Sequence, residues 1–201
     1  MIYRLFFIVL LFYSPLASAA GYDSMRKPFW AELYGEGGWT LYCGEFFRAA
    51  VEDPERLWGL NIEHVYPASW MAKHLGCGSR KQCRRTSERF NQMEADPHNL
   101  WPSLAQYNQL RSNFAYGDIP GERWKFSGCD FEVQGKRVEP SPRARGRIAR
   151  AMLYMRDTYG LAIDDDLMLR WHRAHPVDDE ERRRARIISA RWGLANPWLD
   201  E

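Results

Sequence analysis

Apolar and polar positions follow two different periods along this chain, and the change of period marks most of the predicted elements. From Pro142 onward the spacing is helical: Ala144, Ile148, Met152, Met155 and Tyr159 form one apolar stripe, with Gly160 as its stop. Two further helices are predicted over 164–175 and 178–192. Upstream the apolar runs are short. Residues 25–36 read as a short helix, and "GGWTLYCGEFF" as a turn followed by a strand or irregular segment. "GLNIEHVYP" reads as a strand ended by Pro67, and residues 68–75 as a turn or two of helix before a polar loop at "GCGSRKQC". Thr86 is placed to cap a short helix running through Met93, "PHNLWP" is extended between its prolines, and "SLAQYNQLRSN" is helical with Ser103 as N-cap. "RWKFSGCDFEVQGKRVEP" is strand-like, with "QGK" as a hairpin turn. This order predicts an α+β fold, a mixed core followed by helices.

The first twenty residues depart from this pattern. "MIYRLFFIVLLFYSPLASAA" carries one early arginine, an apolar run from Leu5 to Tyr13, a helix-breaking Pro15 and then small residues. Ala17-Ser18-Ala19 fits a small-x-small cleavage site, so residues 1–19 are expected to be a signal peptide, cut near Ala19 or Ala20. The run is too short for a comfortable membrane span, and no later segment is apolar enough to cross a bilayer. Residues 20–201 are then expected to be one exported domain, periplasmic or secreted, without stable membrane insertion.

Export bears on the cysteines Cys43, Cys77, Cys83 and Cys129. An even count in an oxidising compartment favours disulfides, with three pairings open. Cys77 and Cys83 flank a polar, glycine-containing loop and are expected to pair, which leaves Cys43 for Cys129. A zinc site is the competing reading, but no CxxC or HxxxH spacing supports it. A hydrophobic content of 45%, a charged content of 27% and a net charge of +2 are ordinary for a globular protein, so the overall charge points to no polyanionic partner.

Side chains capable of chemistry concentrate between positions 63 and 113. A strand-borne His64 beside Glu63, a second extended piece ending in His98-Asn99, and a helix carrying Asn108 could converge on one spot. Such a convergence has the parts for metal-assisted phosphodiester hydrolysis, which needs a base for water and neutralisation of phosphate charge. An imidazole near its ordinary pKa of ~6.5 is largely neutral at pH 7 and can take a proton. Glu63 and the amide oxygen of Asn108 are hard oxygen ligands suited to Mg²⁺. Strand alternation puts Glu63 and His64 on opposite faces, so this reading expects a bend beside Pro67 that turns both to one side.

The segments "EHVYPASW", "GSRKQCRRTSERFNQMEADPHNLWP", "YNQLRSNF" and "PRARGRIARAMLYM" resemble the secreted and periplasmic endonuclease I nucleases, of the His-Me finger or ββα-metal group. The likeness runs from about Tyr42 to Gly160 and more weakly to the end; the tail "WGLANPWLDE" only approximates the family pattern. It implies a ββα-metal motif within about 58–113 and additional helices, mainly C-terminal. It also implies Glu63 and Asn108 as ligands of one Mg²⁺ (or another divalent cation such as Mn²⁺ or Ca²⁺), and His64 as general base. Arg80, with Lys81 and Arg84 as neighbours able to stand in, would steady the phosphate, and Asn99 would brace the loop holding the base. The implied activity is largely sequence-nonspecific cleavage leaving 5′-phosphate ends. Because water is the nucleophile, RNA as well as DNA is an expected substrate, for a protein expected to be a monomer.

Beside such a site the basic residues change meaning. Arg80, Lys81, Arg84, Arg85 and Arg111 are expected to contact nucleic acid, and Arg143, Arg145, Arg147 and Arg150 to form a second basic cluster. "DDEERRRAR" is expected to be an exposed helix. His98, Glu94 and Asp96 are read as structural. The rival expectations are a non-catalytic exported module that binds nucleic acid on a nuclease-like fold, and an exported partner-binding domain.

Overall fold

The structure, a computed structural model, describes residues 21–48, 54–121 and 128–200. The leader expected over 1–19 lies outside them, as do residues 122–127 of the strand-like segment. Helix α1 (Tyr22–Pro28) ends at a proline, which offers no N–H to the ladder, and the chain continues through a π-helical turn, Phe29–Leu33. Strands β1 (Gly37–Trp39) and β2 (Phe46–Arg48) form an antiparallel pair. A short helix α2 (Pro54–Trp58) then leads into β3 (Leu60–His64).

Strand β3 pairs antiparallel with β4 (Leu100–Leu104) in continuous register, from Leu60 opposite Leu104 to His64 opposite Leu100. Three short helices fill the excursion between them: α3 (Ala68–Leu75), α4 (Arg80–Thr86) and α5 (Glu88–Glu94). Helix α6 (Ala105–Arg111) follows β4 directly. Strands β5 (Ala115–Tyr116), β6 (Glu132–Gln134) and β7 (Arg137–Glu139) make a small sheet in the order β5-β7-β6. Helices α7 (Pro142–Tyr159), α8 (Asp165–Ala174) and α9 (Asp179–Trp192) complete the chain with a 3₁₀ turn, Pro197–Leu199.

The predicted α+β order is observed, and three local expectations are corrected. The polar stretch expected as a loop becomes helical at Arg80. Ser79 accepts from the backbone N–H of Gln82, while the Gln82 side chain accepts from the N–H of Ser79, so two otherwise unpaired groups are satisfied reciprocally. Thr86 caps nothing; its hydroxyl donates to the carbonyl of Gln82 inside α4, and Ser87 caps α5 instead, accepting from Phe90 N–H. Ser103 lies within β4 and its hydroxyl donates to the Leu104 carbonyl, so α6 starts without a side-chain cap.

Two apolar clusters carry the packing. The larger surrounds α7, which is buried on nearly every side from Ala144 to Met155 and packs along α8. A Cβ at Gly146 would come within 2.8 Å of the His175 backbone carbonyl, so this helix approaches the segment after α8 too closely for any side chain there. The smaller cluster joins Phe29, Leu33, Tyr34, Phe47, Leu60, Leu100 and Ile188. Both expected disulfides are present: Cys43–Cys129, and Cys77–Cys83, which ties the end of α3 to the middle of α4.

Candidate active site

Among the described residues strand β3 has only β4 as a sheet partner, and side chains occupy its other edge. Helix α6 lies along that edge. Asn108 Nδ2 donates to Asn61 Oδ1 at 2.8 Å and more weakly to the Ile62 carbonyl at 3.4 Å, and Arg111 Nη1 donates to the His64 carbonyl at 2.8 Å. A cavity of about 630 Å³ opens here, and Glu63, His64, Arg80, Arg84, Asn108 and Arg111 all line it.

The expected bend is not what brings Glu63 and His64 together. The strand stays regular through His64, and the backbone bends only at Val65–Tyr66. Alternation is obeyed: Asn61 and Glu63 meet residues of α6, whereas His64 meets the end of α5. The two side chains reach one cavity because it lies along the open edge between both faces.

Glu63 is 1% exposed. Its Oε1 accepts from Tyr42 Oη at 2.7 Å and from Arg111 Nη1 at 2.8 Å, and Tyr42 Oη lies 2.9 Å from Tyr116 Oη. Oε2 has no hydrogen-bond partner among the described residues. Burial pushes the carboxyl pKa up, and the Arg111 charge and the Tyr42 hydroxyl oppose it.

His64 Nε2 lies 2.9 Å from the Glu94 backbone oxygen. A carbonyl only accepts, so Nε2 carries the proton and the Nδ1 lone pair is left free. Burial, reinforced by the nearby Arg80 charge, pushes the imidazole pKa down to about 3, so the ring is neutral at neutral pH. Asn99 holds the chain just beyond: its Oδ1 accepts from Tyr66 N–H at 2.6 Å, its Nδ2 donates to the Tyr66 carbonyl at 3.1 Å, and its own carbonyl accepts from Val65 N–H.

Glu94, read from the sequence as structural, has a wider part in this geometry. Its side chain is fully buried and receives Nε of both Arg80 and Arg84, the latter at 2.7 Å. Using Nε as the tether directs the terminal nitrogens away from the carboxylate, and those of Arg80 have no partner among the described residues. One residue thus sets the imidazole tautomer through its carbonyl and two guanidinium groups through its carboxylate. Nothing in periodicity announces it, since Glu94 lies 10 and 14 residues from its two arginines.

Among the described residues no group of three or more His, Cys, Asp or Glu is placed to hold a metal ion. A hard cation that keeps most of its waters needs fewer protein ligands. The donor set suits such an ion: Glu63 Oε2 has no partner among the described residues, and Asn108 commits its amide nitrogen to Asn61 and Ile62, which leaves Oδ1 available.

Other expectations are redistributed. Arg111, expected to contact nucleic acid, is 1% exposed, and its terminal nitrogens donate to Glu63, the His64 carbonyl and the Val65 carbonyl. Lys81 and Arg85 are exposed on α4 but do not line the cavity. The second basic cluster is not a groove. Arg147 and Arg150 are both 2% exposed and pair with Asp178 and Glu181, while Arg145 pairs with Glu139. The helix of "DDEERRRAR" is therefore not simply exposed, because Glu181 and Arg184 face inward, Arg184 donating to the Pro97 and Leu100 carbonyls. His98 is packed on Tyr154 as a structural residue.

The family model for endonuclease I matches residues 34–201. Among curated relatives, an extracellular deoxyribonuclease of Aeromonas hydrophila is 36% identical over 156 residues, 73% of this chain and 67% of its own length. A periplasmic deoxyribonuclease of the same organism is 38% identical over 169 residues, covering 79% and 69%. Endonuclease-1 of Buchnera aphidicola subsp. Acyrthosiphon pisum is 32% identical over 169 residues, covering 80% and 66%. The matched stretch thus spans about two thirds of each relative's length.

Proposed function

From the premise that this chain belongs to the endonuclease I family, we propose that the cavity along β3 hydrolyses phosphodiester bonds of DNA, and of RNA by the same route, with little regard to sequence. The observation that carries this reading is the single cavity in which a neutral imidazole, two tethered guanidinium groups and two free hard oxygen donors meet. Glu63 Oε2 and Asn108 Oδ1 would hold one divalent cation, for which Mg²⁺ fits the donor chemistry; when bound, it neutralises charge on the phosphate and the departing oxygen. His64 Nδ1 takes the proton of an attacking water. Its Nε2–H stays on the Glu94 carbonyl, which stabilises the ring as it becomes charged. Arg80 and Arg84 present terminal nitrogens to the phosphate oxygens. Asn99 keeps the segment after His64 from shifting. No step uses a 2′-hydroxyl, which is why both polymers are substrates, and phosphate contacts carry no base information. The order β3–β4–α6 supports the ββα-metal description of this centre. The extracellular and periplasmic relatives support work outside the cytoplasm, and among the described residues no helix is long and apolar enough to cross a membrane.

The test is conversion of supercoiled plasmid to nicked and linear forms by the purified protein, with Mg²⁺ or with chelator. His64→Ala is expected to lower the rate by about 10²–10⁴-fold, the usual contribution of a positioned base. Cutting that survives chelation, or an equally active His64→Ala protein, refutes the mechanism, and binding without cutting would reassign the chain as a binding module.

A further inference from the structure

Helix α1 lies far upstream of Glu94, yet it lines the cavity with Tyr22, Asp23 and Arg26, and Tyr22 brings an aromatic ring to it. Tyr22 is partly buried in the cavity wall. Its ring lies 4.8 Å, centroid to centroid, from the imidazole of His64, tilted by 49°. The guanidinium carbons of both Arg80 and Arg84 lie 5.3 Å from the same centroid. The three groups given chemical roles above therefore share one surface, although His64 comes from β3 and the arginines from α4.

The hydrogen bonds alone leave these groups underdetermined. Each arginine is tethered to Glu94 through Nε; Arg84 Nη1 also lies 3.5 Å from the exposed Asp23 carboxylate, whereas the Arg80 side chain is 46% exposed and its plane can turn beyond the tether. His64 has one ring hydrogen bond, which permits rotation about that axis. An aromatic face supplies the missing restraint. A guanidinium is drawn to the ring quadrupole, and an imidazole packs against the ring edge or face.

We propose that Tyr22 is a positioning residue of the hydrolytic centre, its ring holding the imidazole of His64 and the guanidinium groups of Arg80 and Arg84 in one reactive arrangement. This rests on the nuclease reading above. The ring is the operative part, so Tyr22→Phe preserves the function and Tyr22→Leu, which keeps bulk and apolarity, does not. Helix α1 is itself anchored through the buried Met25 and, at the cavity wall, through the ion pair of Arg26 with Glu55 at 2.5 Å, so the ring arrives on a fixed support.

The experiment compares the unaltered protein, Tyr22→Phe, Tyr22→Leu and Met25→Ala for kcat and KM on plasmid, for thermal melting, and for the ring ¹⁵N and ¹H resonances of His64. Met25→Ala loosens the same helix without touching the cluster. Tyr22→Phe is expected to keep kcat within about twofold. Tyr22→Leu is expected to lose about 10–100-fold in kcat, the scale of an ångström-level misplacement, with a smaller change in KM and a melting point close to that of Tyr22→Phe. The His64 resonances of Tyr22→Leu should lose the ring-current shift and move toward a mixture of tautomers. Equal kcat for Leu and Phe overturns the proposal, and so does a loss in Tyr22→Leu matched by Met25→Ala at the same melting point, because the ring would then be packing only. If the unaltered protein cuts nothing with any divalent ion, the nuclease reading fails, and the His64 resonances still decide whether Tyr22 orients the imidazole.

Discussion

Arg111 separates two accounts of this protein by a measurable margin. As a groove residue it would touch phosphate; in the structure it is a buried clasp, donating to Glu63 Oε1 and the His64 carbonyl at 2.8 Å and to the Val65 carbonyl at 2.5 Å, with its guanidinium 4.6 Å from the Tyr116 ring centroid. Arg111→Met leaves a carboxylate in a site where it is 1% exposed, with only Tyr42 as donor among the described residues. Removing one partner of a buried ion pair costs about 3–5 kcal/mol, and the carbonyls left without a charged donor raise this toward the upper end. For a chain of this size each kcal/mol moves the melting temperature by roughly 2–4 °C, so a fall of about 10–20 °C is expected by circular dichroism. Adding Glu63→Gln removes the stranded charge and should recover about half of that loss. Binding measured in chelator, where cutting is suppressed, should keep its salt dependence in Arg111→Met. A melting point within about 3 °C of the unaltered protein in Arg111→Met, with the slope of log affinity against log salt reduced by about one, would refute the clasp and restore the groove contact.

The two disulfides should differ in kind. Cys43–Cys129 closes a separation of 86 residues, which in the chain-entropy description corresponds to about 4–5 kcal/mol, so Cys43→Ala/Cys129→Ala should melt far lower than Cys77→Ala/Cys83→Ala, whose six-residue separation corresponds to about 2 kcal/mol. Activity should show the reverse sensitivity at temperatures where both are folded, because only Cys77–Cys83 holds the helix carrying Arg80 and Arg84; equal activities would count against that assignment. His98 should make stability depend on pH. Burial, helped by the Arg184 charge, pushes its pKa down to about 3, against ~6.5 in the unfolded chain, so between those values only the unfolded state binds the proton. Stability contributed by this site is complete above about pH 6.5 and is lost as pH falls toward 3, by about 1.4 kcal/mol per pH unit. His98→Gln should therefore lose less stability than the unaltered protein between pH 7 and pH 4.5, and identical losses would show that His98 does not titrate on unfolding.

The sequence was most legible where periodicity or covalent logic is strong. The stripe from Ala144 to Tyr159 with Gly160 as its stop gave α7 to within two residues, and the cysteine pairing followed from short spacing and exclusion. Local chemistry that can serve two elements was read less well: Ser79, Thr86, Ser87 and Ser103 are all capable caps, and which of them acts depends on tertiary context. Charge was the least legible quantity. Arg111, Arg147, Arg150 and Arg184 look like surface residues in a sequence, and each is buried against carbonyls or carboxylates that lie between 25 and 87 residues away. The counterions and carbonyls that make such burial tolerable come from other elements, so no window along the chain contains both halves. Tyr22 and Glu94 escaped for the same reason, their partners being fixed by the fold and not by spacing.

The buried carboxylate of Glu94 has a consequence for turnover. On the hydrolytic reading, scission converts a phosphodiester with one negative charge into a terminal phosphate with about 1.5–2, so a pair of arginines grips the product more strongly than the substrate. By cancelling one of the two positive charges of Arg80 and Arg84, Glu94 limits that asymmetry. On that reading, the acid that arranges the arginines to capture a strand would also set how readily the new end leaves.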